Sequence, residues 1–119
     1  MPGIYVHEAT VLMDAGSGTG APGAAITVAL CGSWQHPPPC PLAAHHTAAQ
    51  RDGETVTLRT IFTADPQREA EVRRRIDGAL AHGSQAGPDG TVVRWTLVAA
   101  GPAGLTAEER GHGRRIAGT

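Results

Sequence analysis

The stretch from Thr55 to Thr63 constrains the fold most, because it alternates between two sets of side chains without a break. Alternation over nine residues predicts a strand with one buried face. The chain then turns at Asp65-Pro66, where Asp as N-cap and Pro at the first helical position predict a helix start. We expect this helix to run to about His82 and to end at Gly83. The two faces of the strand are Val56, Leu58, Thr60 and Phe62 on one side and Thr57, Arg59, Ile61 and Thr63 on the other.

Three further segments have strand-like patterns: Ile4 to Met13, about Ala25 to Ser33, and Thr91 to Ala99. A capping box at Thr106-Ala107-Glu108-Glu109 predicts a short last helix. The predicted order is therefore β-β-β-α-β-α, in one α+β domain over residues 1–119. We expect a four-stranded, mostly antiparallel sheet with two helices on one face. The helix between strands three and four predicts a right-handed crossover to a parallel neighbour.

A glycine-rich connector follows the first predicted strand, and Gly18 to Gly23 matches the pattern G-x-G-x-x-G. This pattern binds pyrophosphate only when it leads directly into the N-terminus of a helix. Because a strand is predicted from Ala25, we interpret the connector as a flexible hairpin loop.

Charge and hydropathy exclude several functional classes. The net charge is −1, with ten arginines and no lysine, so there is no electrostatic reason to expect a nucleic-acid or membrane partner. No apolar run reaches the roughly 18 residues that a membrane span needs. The first residues lack the basic and apolar regions of a secretory signal, which predicts a cytoplasmic protein.

The segment from Trp34 to His46 combines four prolines with one cysteine and three histidines. A thiolate and imidazoles are ligands that zinc and copper prefer, and the prolines reduce the entropy lost when a loop is fixed around an ion. We predict a metal site here, with zinc as the first choice and copper or no metal as alternatives. It would be catalytic if three ligands left a position open. The spacing H-x3-C-x4-H-H matches no standard zinc finger. The predicted ligands are His36, Cys40, His45 and His46.

Other interpretations of this segment stay open. The chain from Trp34 to Gly53 is predicted to be a long loop that is ordered without metal. The protein would then be a homodimeric ligand-binding or interaction module that pairs one sheet face with a second copy. A third hypothesis is a cysteine-dependent enzyme, in which His36 or His45 activates Cys40.

Several single residues have simple structural interpretations. His7 is predicted to be a mid-strand histidine satisfied by a backbone carbonyl, and Cys31 a small buried apolar residue. The run Arg73-Arg74-Arg75 is interpreted as a solvated helix face. Arg59 and Arg94 would contact an anionic ligand or, equally, pair with carboxylates on neighbouring strands.

Overall fold

The computed structural model of the chain describes residues 3–31, 43–87 and 89–116. The predicted ligands His36 and Cys40 lie outside these residues. A short 3-10 turn, Pro66–Arg68, precedes the second helix. The elements are β1 (Gly3–Leu12), α1 (Gly20–Cys31), β2 (Ala44–Asp52), β3 (Thr55–Ala64), α2 (Glu69–His82), β4 (Ser84–Ala86), β5 (Val92–Arg94), β6 (Thr96–Ala103) and α3 (Ala107–Ile116).

Four strands form one antiparallel sheet in the order β2-β3-β1-β6. This confirms the predicted α+β class and the four-stranded sheet. Because β3 and β6 both run antiparallel to β1, they are parallel to each other with β1 between them. β1 and β2 are likewise parallel, with β3 between them. This is the split β-α-β, or ferredoxin-like, arrangement. The crossover after β3 therefore leads to a parallel strand, but not to an adjacent one.

The predicted second strand, Ala25 to Ser33, is wrong, because residues up to Cys31 belong to helix α1. Its apolar residues alternate in sequence, yet a short apolar run fits a buried helix as well as a strand. Ile26 and Leu30, four residues apart, are both buried, as expected for one helix face. Pro22 in the first turn is a helix-start signal that the alternation obscured.

A strand also replaces much of the predicted loop from Trp34 to Gly53. Among the described strands, β2 lies at an edge of the sheet and pairs with β3 alone. Most of its side chains are exposed or only partly buried, so its sequence lacks the apolar alternation that would have revealed it. The order of elements is consequently β-α-β-β-α-β-β-β-α, not β-β-β-α-β-α.

The predicted fourth strand, Thr91 to Ala99, is divided at Trp95. β5 pairs with β4 in a separate two-stranded ribbon, and β6 continues in the main sheet to Ala103. Trp95 is buried, and its indole N–H donates to the carbonyl oxygen of Leu80 at 2.8 Å. β6 continues through Gly101-Pro102, which is possible because proline is tolerated in an edge strand.

The helices lie on both faces of the sheet. α1 and α2 pack together on one face, over the apolar side of β3 that includes Leu58 and Phe62. Two helices thus share one face, as expected, but the expected pair is α2 and the last helix, and α1 takes the place of the latter. The predicted last helix, α3, contacts β3 through Arg59, whose side chain alternates with these core residues and thus belongs to the opposite face.

Local signals predicted the end of α2 and the start of α3 well, but Asp65-Pro66 begins the 3-10 turn before α2, and Asp65 makes no side-chain capping bond there. α2 ends at His82, and Gly83 adopts the left-handed conformation with φ of 77°. At α3, the amide of Thr106 donates to Glu109 Oε1 at 2.9 Å, and the amide of Glu109 donates to Thr106 Oγ1 at 3.1 Å. This reciprocal pair confirms the capping box. Among the described residues, no helix is long and apolar enough to cross a membrane.

Candidate functional site on the two faces of β2

The structure places two of the predicted metal ligands, His45 and His46, next to each other in β2. Side chains of successive strand residues point to opposite faces. His45 pairs in register with Phe62 on the core face, and His46 pairs with Ile61 on the face that carries α3. The two imidazoles therefore diverge. Within residues 3–31, 43–87 and 89–116, no three His, Cys, Asp or Glu side chains converge as they would around a metal ion. A site that includes His36 and Cys40 stays a prediction.

His45 is oriented by hydrogen bonds on both ring nitrogens. Nδ1 lies 3.0 Å from the carbonyl oxygen of Ala43, which can only accept, so Nδ1 carries the proton. In the neutral ring, Nε2 then accepts from the hydroxyl of Thr27 in α1, at 2.9 Å. The Thr27 hydroxyl, the His45 imidazole and the Ala43 carbonyl are thus linked by hydrogen bonds in a row. Enzymes link a nucleophile, its base and the group that orients the base in the same order. Chemically, Nε2 can accept a proton from a hydroxyl held in the position of Thr27 Oγ1.

A polar cavity of about 450 Å³ opens between α1 and β2 beside this pair. The strand side is stabilised by Thr47, whose hydroxyl bonds that of the buried Thr60 at 3.0 Å. The predicted hairpin loop at Gly18 to Gly23 is wrong, since the connector leads straight into α1. Residues lining the cavity include Thr19, Gly20, Gly23, Thr27, His45 and Thr47.

An apolar slot of about 430 Å³ lies on the other side of the first turn of α1, against the β4–β5 ribbon. Ala21, Ala24 and Val93 contribute to its lining. Gly20 lines both the slot and the polar cavity. Gly20 is exposed, and a Cβ built on it would have no atom within 4 Å, so the residue that both linings share has open space beside it.

On the opposite face, the ring of His46 lies against that of His112 in α3. Their centroids are 4.5 Å apart, and the ring planes are inclined by 46°. His46 is exposed and His112 half-buried. Partial burial, together with the neighbouring His112, lowers the pKa of His46, which favours the neutral imidazole.

Arg59 anchors α3 beside this histidine pair. Its guanidinium donates to Glu109 of α3 at 2.7 and 2.8 Å, to Glu8 of β1, and to the carbonyl oxygen of Gly104 at 2.7 Å. Hydrogen bonds from Arg59 lower the pKa of the Glu109 carboxyl to about 2. Of the two roles predicted for Arg59, contact with an anionic ligand or pairing with carboxylates, the structure shows the pairing with carboxylates. Arg94, on β5, is exposed.

His7 is buried, as predicted, but its partners are side chains of α2 and not a backbone carbonyl. Nδ1 lies 3.0 Å from an NH of Arg73, which can only donate, so Nε2–H donates to Asp77 Oδ1 at 2.7 Å. Arg73 also donates to the carbonyl oxygen of Val6 and to Glu69. The prediction of a solvated face is therefore wrong for Arg73. The cluster joins α2 to β1 and has a structural role.

A larger depression, of about 730 Å³, lies around Trp95. Its ionisable side chains, Asp14, Glu54, His82 and Arg94, are all exposed. Solvated charges of this kind do not create the desolvated surroundings typical of a ligand site. The smaller cavity at His45 has the converging, hydrogen-bonded polar groups that this larger one lacks on its rim.

Sequence reasoning missed Thr27 and His112, the contact residues of the two histidines. Thr27 was assigned to a strand, and His112 lies in the short last helix with no pattern that relates it to His46. No family model matches this chain, and neither a curated protein nor a solved structure shows significant similarity to it. The candidate site is therefore assigned from the geometry of its own residues.

Proposed function

We propose that this protein is a ligand-binding α+β module that holds a small organic molecule in the cavity between α1 and β2. The observation that carries the proposal is the Thr27–His45 hydrogen bond at the cavity wall. A hydroxyl and an imidazole in fixed orientation are polar groups of the kind that position ligands in otherwise neutral pockets.

The two adjoining spaces favour an amphipathic ligand. Cavities of about 300–1,000 Å³ are typical of small-molecule sites, and these usually combine apolar walls with a few polar groups. The apolar slot at Ala21, Ala24 and Val93 would hold an apolar body. Across Gly20, the polar cavity would hold a head group near His45.

The head group that fits this lining best is neutral. The described residues around the polar cavity include no carboxylate and no guanidinium, so nothing among them would balance a fully charged ligand. A ligand hydroxyl can donate to Thr27 Oγ1, whose own proton is given to His45 Nε2, without that cost. A metal-binding role with zinc, a cysteine-dependent activity, a homodimer and a cytoplasmic location stay predictions of the sequence.

The test uses a glycine substitution that fills the junction without disturbing the fold. Gly20 does not have a positive φ, and its Cβ would meet open space, so Gly20→Leu adds a side chain at the residue that both linings share, at little cost. Gly78 of α2, which is also exposed and equally free of neighbours, provides the matched control Gly78→Leu.

The measurement is ligand-observed NMR with a library of neutral fragments that carry one hydroxyl group. We expect fragments that bind the wild-type protein and Gly78→Leu to lose at least tenfold in affinity with Gly20→Leu and with Thr27→Val. Fragments that bind Gly20→Leu as tightly as the wild type, or a library that yields no binder, would contradict the proposal.

A further inference from the structure

His46 and His112 bring two imidazoles from distant parts of the chain onto one face of the sheet. β2 carries the first and α3 the second, and the centres of the rings are 4.5 Å apart. The rings of this pair lie on the side of β2 opposite to the ring of His45, although His46 also borders the polar cavity. Imidazole nitrogens are ligands for zinc, copper and nickel.

The spacing of the rings agrees with two histidines on one ion. With a metal–nitrogen distance of about 2.0–2.1 Å, each ring centre would lie about 3.2 Å from the ion. Two such rings would have centres about 4.5 Å apart at a right angle and about 5.2 Å apart at a tetrahedral angle. The observed separation falls at the lower end of this range.

Both ligands are held by ordered elements. β2 pairs in register with β3 along its whole length, which fixes the backbone at His46. α3 is fixed by its capping box and by the bond between Arg59 and Glu109, one turn before His112. Preorganised ligands bind an ion with a smaller entropic cost than ligands on a free loop.

We propose that His46 and His112 form a two-histidine site for a divalent late transition-metal ion such as Zn²⁺ or Ni²⁺. Water completes the coordination shell, since the carboxylate of Glu109, the nearest acidic group along α3, is held by Arg59. The site retains His46 from the predicted ligand set, and it uses His112 in place of His45. It does not depend on the ligand cavity on the other face.

The experiment titrates metal-free full-length protein with ZnCl₂ or NiCl₂ and follows heat and the ¹⁵N shifts of the histidine rings. We expect one ion per chain, with the largest ring shifts at His46 and His112. His46→Ala and His112→Ala should each weaken binding at least tenfold, because either change removes one of two protein ligands. His82→Ala provides the control, since His82 is an exposed histidine at the end of α2.

Circular dichroism of each variant verifies that it folds, and His112→Gln, which keeps much of the side chain, serves as a second test. Absence of binding to the wild type, or equal affinity in the wild type and His112→Ala, would overturn the proposal. Loss of the ion in Cys40→Ala with retention in both His112 variants would also overturn it, and would instead support the predicted His36 and Cys40 ligands.

Discussion

Two adjacent histidines of β2 have entirely different surroundings. His45 faces α1, and hydrogen bonds from Thr27 and to Ala43 fix its ring. His46 faces α3, is exposed, and has the ring of His112 as its neighbour. The sequence presents them as one His-His motif, but the two-residue period of a strand assigns them to separate sites. Adjacency in sequence therefore argues against a shared ion once the segment is known to be a strand.

The layers behind the two histidines also differ. On the side of His45, two helices and the sheet enclose the main apolar core, which includes Phe62. On the side of His46, the single short helix α3 packs Gly113 against Ile4 and is bound by the charged group Arg59, Glu8 and Glu109. The first face thus has the larger apolar core, and the second combines a smaller apolar contact with a polar network. The following predictions test this difference.

The largest effect on stability is expected for the two residues of β3 that pair with the histidines of β2. Phe62→Ala should cost about 3–5 kcal/mol in the free energy of unfolding, because it opens a cavity under two helices. Ile61→Ala should cost less, about 2–3 kcal/mol, because only α3 closes over that face. Urea unfolding of both variants measures the contrast. Equal losses would show that the α3 face contains as much of the core as the α1 face.

A second prediction concerns the polar network on the α3 face. Glu109→Gln should lower the free energy of unfolding by about 1–3 kcal/mol at pH 7, because it weakens charge-assisted bonds with Arg59. The pKa of Glu109 is depressed in the fold, so the unfolded chain binds its proton first as the pH falls. This contribution is complete above the ordinary carboxyl pKa of 4.5 and is lost as the pH falls from there to about 2.

Urea unfolding of the wild type and Glu109→Gln at pH 7, 4 and 3 follows this linkage. The difference between the two proteins should shrink with decreasing pH. A difference that is constant over this range would exclude Glu109 as the titrating group.

A smaller effect is expected from Thr27→Val on the His45 side. The substitution leaves Nε2 of a half-buried imidazole without its hydroxyl donor, which should cost about 1–2 kcal/mol. The preference of His45 for the Nδ1–H tautomer should weaken but not disappear, because the bond to Ala43 remains. The ¹⁵N shifts of the ring report this change. A variant with unchanged stability and unchanged ring shifts would remove Thr27 as the partner of His45.

The smallest effect is expected for His46→Gln without metal. His46 is exposed, so its replacement should change the free energy of unfolding by less than about 0.5 kcal/mol. Thermal unfolding in the presence of a chelator measures this value. A large loss would mean that contact with His112 is itself a structural element of the α3 face.

The parts of the fold that could be predicted from the sequence have local signals. The alternation in β3, the Gly83 stop after α2 and the Thr106–Glu109 capping box all depend on residues within a few positions of one another. α1 was missed because Ile26 and Leu30 fit a helical period as well as the alternation that they share with Val28, and β2 because an edge strand need not bury either face. The site depended on contacts between distant residues, Thr27 with His45 and His46 with His112, which no local pattern encodes.

The two edges of the sheet differ in their capacity to add a strand from another chain. β6 contains Pro102, which cannot donate a backbone hydrogen bond, and the register between β1 and β6 shifts at Thr10/Val11. Proline and irregular register are features that protect an edge against intermolecular pairing. β2 is nine residues long, contains no proline and keeps a continuous register with β3. Intermolecular strand addition is therefore expected along β2, the strand that also carries both histidines.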